Sequence, residues 1–275
     1  MGWTERQQAM LQEMGLRLWA PAPELPPGPA PVPAPATAAA TAAAPAAPTP
    51  PAPVRAMPAP VAVMPIRPAA QAGSSPADAG AVATLDWPAL RAAVAGCRAC
   101  GLCESRRQTV FGVGNTQAHC MVVGEAPGEQ EDAQGEPFVG AAGQLLDRML
   151  AALGLGRSET TPERQVFIAN TLKCRPPRNR NPAPEELAAC QPYLERQVAL
   201  VQPRVILAMG RFAVTQLLGS DAPIGKLRGQ VHQWHGVPLV VSYHPAYLLR
   251  QPADKAKAWD DLCLVAGLLA RPPSG

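Results

Sequence analysis

Residues 120–132 read CMVVGEAPGEQED, an uninterrupted apolar run that ends in a turn of glycine, glutamate and proline. Such runs are typical of strands buried on both faces of a parallel sheet. The turn places Gly124, Glu125 and Ala126 at the carboxyl end of the predicted strand, where sheets of this kind bind ligands. Backbone amides and a carboxylate there suit a site that holds a water molecule or a positively charged transition state. Taken alone, an acidic turn of this kind usually has no role in binding or catalysis.

Three more apolar runs follow, VFIAN at 166–170, VILAMG at 205–210 and PLVVSY at 238–243. Helical patterns lie between or after them, at 142–153, 184–201, 211–218 and 254–269. Strands that alternate with helices predict a three-layer α/β/α domain around a central, mainly parallel sheet of four strands. We place this domain at residues 85–271.

The N-terminal part has a different composition. Residues 4–19 have apolar side chains at helical spacing, which predicts a short amphipathic helix within residues 1–20. Residues 21–84 are rich in alanine and proline, with seventeen prolines between Pro21 and Pro68. A segment of this composition cannot form a core, so we expect a disordered linker.

The formal net charge is +3, which is compatible with a nucleic-acid patch but does not require one. No apolar run reaches the roughly eighteen residues that span a bilayer, and no export signal is evident. We therefore expect a cytoplasmic, nucleoid-associated monomer without a membrane partner. Seven cysteines in a reducing compartment indicate metal ligation or burial rather than disulfides.

Four cysteines have a spacing that permits a metal site. Cys97 and Cys100 form a C-x2-C pair, and the more distant Cys174 and Cys190 can complete a set of four thiolates. By spacing alone, a zinc or iron–sulfur site and a set of buried thiols are about equally supported. Cys103 rivals Cys100 as a ligand, whereas Cys120 and Cys263 fit core packing better.

Two further segments follow predicted strands. The first is a proline-containing loop whose basic side chains favour a phosphate-binding surface, with a solvated loop as the alternative; they are Lys173, Arg175, Arg178 and Arg180. The second is SYHPAYLLR at 242–250, where Pro245 directs His244 toward the same edge. Exposed apolar side chains after it, beside Arg250, suit a wedge in a base stack; they are Tyr247, Leu248 and Leu249.

Together and in this order, the motifs resemble the family 4 uracil-DNA glycosylases, the bacterial and archaeal branch that carries a [4Fe-4S] cluster. They are CRAC, FGVGN, GEAPGEQEDAQGEPFVGAAGQLLDRML, NTLKCRPPRNRNP and HPAYLL, within residues 97–269. The resemblance implies that Cys97, Cys100, Cys174 and Cys190 hold the cluster, and that Cys103 does not.

The resemblance also implies roles for the other site residues. Glu125 positions or activates the attacking water, with Gly124 and Ala126 beside it in the first motif. Glu131 blocks the methyl group of thymine, and Phe138 stacks on the flipped uracil. Asn170 reads the polar edge of the base, His244 donates to its carbonyl, and the Tyr247, Leu248 and Leu249 segment fills the vacated stack.

We therefore predict a monofunctional uracil-DNA glycosylase that acts on uracil-containing DNA and leaves an abasic site. A carboxylate near the sugar and a donor near the uracil oxygen are what this cleavage requires. One alternative is the relative that becomes covalently trapped on uracil-DNA, although RPPRNRNP lacks the insertion of that group. A second is a non-catalytic DNA-binding protein with a four-cysteine zinc site.

A weaker resemblance concerns MLQEMGLRLWAP at 10–21. It is similar to the N-terminal peptide of the psi subunit of the bacterial replicative polymerase, which docks on the clamp loader. This resemblance implies a clamp-loader contact through residues 4–19.

Overall fold

A six-stranded sheet forms the centre of the computed structural model, which describes residues 9–10, 13, 79–158 and 161–271. The strand order is β1-β3-β2-β4-β6-β5. The four inner strands are parallel to one another, and the two edge strands are antiparallel to their neighbours. The strands are β1 (Val113–Gly114), β2 (Cys120–Gly124), β3 (Val166–Asn170), β4 (Val205–Met209), β5 (Val231–Trp234) and β6 (Val237–Ser242).

Ten helices surround the sheet in residues 79–158 and 161–271. They are α1 (Ala79–Val82), α2 (Trp87–Gly96), α3 (Leu102–Ser105), α4 (Glu129–Gln134), α5 (Ala141–Ala152), α6 (Pro184–Val201), α7 (Arg211–Leu218), α8 (Ile224–Leu227), α9 (Pro245–Arg250) and α10 (Lys255–Leu269). Short 3-10 helices lie at Pro177–Asn179 and Pro252–Asp254.

The inner strands bury both faces, which explains their uninterrupted apolar runs. Met121 and Val123 of β2 pack in one core cluster with side chains of α2, α6 and α7. Cys120 and Val122 of the same strand pack in a second cluster with side chains of α5 and α10. Successive side chains of a strand point to opposite faces, so the two clusters lie on the two sides of the sheet. The predicted three-layer α/β/α architecture is therefore confirmed.

The sheet has two strands more than the four that were predicted. β1 has only two residues, and in β5 the side chains of Val231 and Gln233 are exposed. Neither strand therefore has the continuous apolar pattern of an inner strand. Helices α5, α6, α7 and α10 lie within one residue of the ranges predicted from periodicity.

The structured region begins before residue 85, so the end of the predicted linker is wrong. Helix α1 lies within residues 21–84, and Val82 is buried in the first core cluster. Of the predicted N-terminal helix only Ala9, Met10 and Glu13 are described; they are helical, and Met10 packs against the second core cluster. The rest of residues 1–78 lies outside the described residues. No helix among the described residues is long and apolar enough to span a bilayer.

Candidate functional site

A cleft of about 480 Å³ lies at the carboxyl ends of the inner strands. Glu125 follows β2, Asn170 ends β3, and His244 lies two residues after the end of β6. All three line the cleft, together with Ala126, Glu131 and Phe138. β2 lies between β3 and β4 in the sheet. The chain therefore continues from β2 to the neighbour on one side, β3, and then crosses to the neighbour on the other side, β4. Such a switch point in an open α/β sheet leaves a crevice for a ligand.

Glu125 is half-buried at the floor of this cleft. Its backbone carbonyl accepts hydrogen bonds from Thr171 Oγ1 at 2.5 Å and from the Leu172 N–H at 3.1 Å. The main chain that carries the acid is therefore fixed to the segment after β3. Burial raises the pKa of the Glu125 carboxyl to about 6, because a partly desolvated carboxylate is less stable than its neutral form.

His244 caps the N-terminus of α9, and its ring Nδ1 accepts a hydrogen bond from the Ala246 N–H at 3.2 Å. Burial, assisted by the charge of Arg250, lowers the pKa of the imidazole to about 4, against the opposing effect of Glu131. The ring is therefore neutral near pH 7. Since Nδ1 is the acceptor, the proton of the neutral ring is on Nε2, and His244 has a hydrogen-bond donor available for a ligand.

Asn170 has a polar atom without a partner. Its side chain is 2 % exposed, and Oδ1 is buried and makes no hydrogen bond to any described residue. Buried amide oxygens are nearly always paired, so an unpaired oxygen at the wall of a cleft indicates a ligand donor. Gly124 leaves room for the Asn170 amide and the Phe138 ring, since a Cβ at Gly124 would lie 2.5 Å from Asn170 Oδ1 and 2.6 Å from Phe138 Cζ.

We expect Gly124→Ala to weaken ligand binding in the cleft without unfolding the protein. The added methyl group would displace the Asn170 amide and the Phe138 ring. We predict a loss of activity of at least about tenfold, because misplacement by 1 Å alone can cost about 100-fold. The measurement is the single-turnover rate of the predicted release of uracil from DNA. Gly267→Ala in α10 is the matched control, since its Cβ meets nothing within 4 Å, and equal rates for both variants would contradict the prediction.

Phe138 has an unusual backbone conformation, with φ of 56°. Non-glycine residues adopt this left-handed region at a cost of about 1–3 kcal/mol, so neighbouring contacts must hold it. Arg157 donates from Nη1 to the Pro137 carbonyl at 3.0 Å and from Nη2 to the Phe138 carbonyl at 3.1 Å. Gly143 permits close approach, because a Cβ there would lie 1.7 Å from Phe138 O. The Phe138 ring then stacks near His244, with centroids 5.5 Å apart.

Glu131 is fixed by three backbone N–H groups. Its Oε1 accepts from Val139 at 3.0 Å and Gly140 at 3.2 Å, and its Oε2 accepts from Gly128 at 3.1 Å. This carboxylate therefore joins the turn after β2 to the start of α5 and has little freedom to move. Its predicted role in excluding a methyl group stays a prediction.

The four basic residues predicted to bind DNA differ in their accessibility. Lys173 is 1 % exposed and is held inside the protein, so the prediction that it reaches DNA is wrong. Arg178 and Arg180 are exposed and Arg175 is half-buried. Arg180 also lines the cleft and donates to Glu186 Oε2 at 2.9 Å. Three arginines thus remain as candidates for phosphate contacts.

The segment after His244 is the short helix α9 rather than the predicted loop. Leu248 is fully buried in the second core cluster, so its assignment as a DNA contact is wrong. Tyr247 lines the cleft, and its hydroxyl donates to Asp254 Oδ2 at 2.6 Å. Leu249 is 44 % exposed. The helical turn explains the difference, since successive residues on a helix face different directions.

The four cysteines of the predicted set line one small pocket, and Cys103 also lines it. Cys97 follows α2, Cys174 follows β3 and Cys190 lies in α6. Cys174 accepts from Arg106 Nη1 at 3.0 Å, and Cys190 accepts from the Lys173 N–H at 3.4 Å. Donors of this kind stabilise metal-bound thiolates. Among the described residues, no three His, Cys, Asp or Glu side chains converge on a single-ion site.

Several supporting residues were not identified from the sequence. Arg106 donates to the backbone carbonyls of Ala95 and Cys97 in addition to Cys174. Arg157 supports Phe138 from 19 positions away. Neither lies in a local motif with a chemical signature, so only the folded arrangement identifies them.

Comparison with known proteins identifies the family of the chain. The family model of the uracil DNA glycosylase superfamily matches residues 111–263. A type-4 uracil-DNA glycosylase of Archaeoglobus fulgidus is 44 % identical over 57 % of this chain and 79 % of its own length. One from Pyrobaculum aerophilum is 41 % identical over 66 % of this chain and 94 % of its own length. One from Thermotoga maritima is 42 % identical over 58 % and 82 %, respectively.

These matches include the strand ends that carry Glu125 and Asn170 and the segment that carries His244. The range of the family model also includes four cysteines, Cys120, Cys174, Cys190 and Cys263, whereas the C-x2-C pair precedes it. The chain belongs to the uracil-DNA glycosylase superfamily, and within it to the type-4 uracil-DNA glycosylases.

Proposed function

We propose that this chain hydrolyses the bond between uracil and deoxyribose in DNA, releasing free uracil and leaving an abasic site. One observation carries the proposal: a carboxylate, a neutral imidazole and an unpaired amide oxygen line the same cleft. The carboxylate suits the sugar, the imidazole suits the O2 atom of the leaving uracil, and the amide suits the polar edge of the base. Similarity to proteins named type-4 uracil-DNA glycosylase supports the same substrate.

Glu125 acts on the sugar side of the reaction. Cleavage of the C1′–N1 bond leaves positive charge on the sugar, as in other glycosidic cleavages. An ionised carboxylate stabilises that charge and orients a water molecule for attack on C1′. The Glu125 main chain is fixed by Thr171 and Leu172, so the acid requires little reorganisation when the charge develops.

His244 acts on the leaving base. As the bond breaks, negative charge accumulates on the uracil ring, including its O2 atom. The neutral imidazole donates from Nε2–H, because Nδ1 is occupied by the Ala246 N–H. A donor that is already oriented stabilises this developing charge without transferring a full proton.

Asn170 distinguishes uracil from cytosine. Its Oδ1 accepts from the imide N3–H of uracil, and its Nδ2 donates to O4. Cytosine has an unprotonated N3 and an amino group at these positions, so both contacts would be lost. The unpaired state of Oδ1 is the feature that supports this assignment.

Contacts to DNA come from the rim of the cleft. Arg180 and Arg250 line the cleft and are exposed, and they suit the phosphate backbone. Arg178 is exposed two residues before Arg180 and suits the same contact. Leu249, at 44 % exposure, is the apolar side chain suited to fill the space that the flipped base leaves. Tyr247 bonds to Asp254 and Arg175 bonds to Asn179 within the protein. We therefore expect these two side chains to contribute less to DNA binding than the exposed arginines.

We infer that Cys97, Cys100, Cys174 and Cys190 hold a [4Fe-4S] cluster. The four thiols line one pocket, and a C-x2-C pair with two further cysteines can supply the four thiolates of such a cluster. When bound, the cluster supplies cross-linking of the chain rather than chemistry at the sugar. It would join the end of α2, the loop after β3 and α6.

Substitution of the cysteines tests this ligand set. We expect Cys174→Ala and Cys190→Ala to lose most of the bound iron and the visible absorption near 400 nm, about the region of thiolate-to-iron charge transfer. We expect Cys103→Ala to retain both, because this thiol lies outside the family's ligand pattern. Cys263→Ala in α10 is the control. Loss of iron in Cys103→Ala with retention in Cys190→Ala would contradict the assignment, and a colourless protein that contains zinc would contradict the cluster.

Release of labelled uracil from an oligonucleotide with a single uracil tests the activity. We expect multiple turnovers, free uracil and an abasic strand that alkali cleaves. A protein band shifted by covalently attached DNA after denaturation would instead indicate the trapping relative. DNA binding without any released base would indicate the non-catalytic alternative.

Several expectations remain predictions. The clamp-loader contact involves residues 4–19, of which only Ala9, Met10 and Glu13 are described. The nucleoid-associated location and the monomeric state likewise remain predictions.

A further inference from the structure

Lys173 is a buried lysine that lines the cysteine pocket and contacts the backbone of Asn170, a residue of the cleft. Its side chain is 1 % exposed, and Nζ donates to the Asn170 backbone carbonyl at 2.7 Å and to Gln197 Oε1 at 2.7 Å. A buried lysine is costly unless its polar end is paired. Both partners are well ordered by burial, since Asn170 is 2 % and Gln197 0 % exposed.

The carbonyl that Lys173 holds lies at the end of β3. Asn170 is the last residue of this strand, and the next two N–H groups bond to the backbone carbonyls of Gly124 and Glu125. Lys173 then reaches back with its side chain to the carbonyl of Asn170. The peptide group between Asn170 and Thr171 is therefore fixed at both its carbonyl and its N–H.

Gln197 fixes the other side of this contact. Its Nε2 donates to the Phe111 carbonyl at 2.8 Å, which orients Oε1 toward Lys173. Gln197 lies in α6, so the contact connects this helix to the end of β3. The Lys173 Nζ atom thus has a fixed position relative to both the helix and the sheet.

We propose that Lys173 is a positioning residue for base recognition: it holds the main chain of Asn170 so that the side-chain amide faces the cleft. This inference rests on the proposed function and deepens it. Asn170 reads uracil with both amide atoms, so a rotation of its peptide group would misdirect two hydrogen bonds together. Lys173 touches no substrate and acts through Asn170. The basic character that suggested DNA contact in the sequence serves an internal role instead.

Lys173→Met tests the proposal, because methionine has similar length and cannot donate. We expect kcat/KM for uracil excision to fall by about tenfold or more, since small errors in orientation cost this much or more. We also expect the inhibition constant of free uracil to rise, because free uracil uses the same amide. Lys226→Met in α8 is the matched control, as Lys226 is exposed, and its rate should stay within about twofold of the parent.

A double-mutant cycle with Asn170→Ala separates positioning from general damage. If Lys173 acts through Asn170, Lys173→Met costs less than about twofold when Asn170 is already alanine. The same loss in both backgrounds would overturn the proposal, as would no loss in the parent. If Lys173→Met does not fold, Gln197→Met, which removes the other Nζ partner, should show the same pattern with a smaller loss. A parent without uracil release would overturn the proposed function as well, whereas an active parent with additive losses would overturn only the role of Lys173.

Discussion

Glu125→Gln is expected to lower the single-turnover rate of uracil release by about 100-fold or more, the scale of losing one general base or charge-stabilising group. Glutamine keeps the size of the side chain but carries no charge to stabilise the sugar. The parent rate should rise with pH through about 6, the pKa to which burial raises the Glu125 carboxyl, and level off above it. The variant should lack this dependence. The measurement is the rate between pH 5 and 8.

Glu136→Gln provides the control, because Glu136 is exposed and does not line this cleft. A parent rate that is constant across this range, or a Glu125→Gln rate within about threefold of the parent, would remove the catalytic role of Glu125.

The raised pKa has a consequence for stability. Folding raises the pKa of the Glu125 carboxyl above its usual value, so the folded state binds a proton more tightly than the unfolded state. The stability associated with this group is present at low pH and is lost as the pH rises through about 6. At pH 8, Glu125→Gln should therefore have a Tm no lower than that of the parent.

His244→Ala is expected to have the second large effect, a decrease of about 100-fold or more in the rate of base release. Alanine removes the donor that faces the leaving base. Because burial and Arg250 lower the pKa of His244 to about 4, the imidazole stays neutral across the working range. The parent should therefore show no loss of rate above pH 6.5 from deprotonation of this ring, and its nitrogen NMR signals at pH 7 should be those of a neutral Nε2–H tautomer.

His235→Gln is the matched control, since His235 lies in the exposed turn between β5 and β6. A charged His244 at pH 7, or an activity loss in His235→Gln as large as that in His244→Ala, would contradict the proposed donor role.

The inner part of the fold could be predicted because an inner strand that is buried on both faces has an uninterrupted apolar sequence. Residues of β2 and β4 face helices on both sides, so nearly every position is apolar and the pattern is continuous. The edge strands carry no such pattern. β1 has two residues and pairs only with β3, so its extended state depends on a neighbour 50 or more positions away in the chain.

The candidate site could be predicted where function depends on a residue's position at a strand end. Gly124, Glu125 and Asn170 end buried strands or directly follow them, and parallel strands bring their carboxyl ends to one edge. Prediction was wrong for Lys173 and Leu248, which are both buried. Charge and hydropathy describe what a side chain can do, but not the direction in which it points.

By itself, the sequence determined the three-layer architecture, the family and the residue types that carry the chemistry, because buried strands and strand-end motifs are local properties of the chain. Only the tertiary structure decided that Lys173 points inward to Asn170, that Leu249 rather than Leu248 is exposed, and that Arg157 holds the backbone of Phe138. These contacts join segments distant in the chain or depend on the direction of a helical turn. Such contacts stabilise the protein only once the segments have packed together, so no local sequence pattern predicts them.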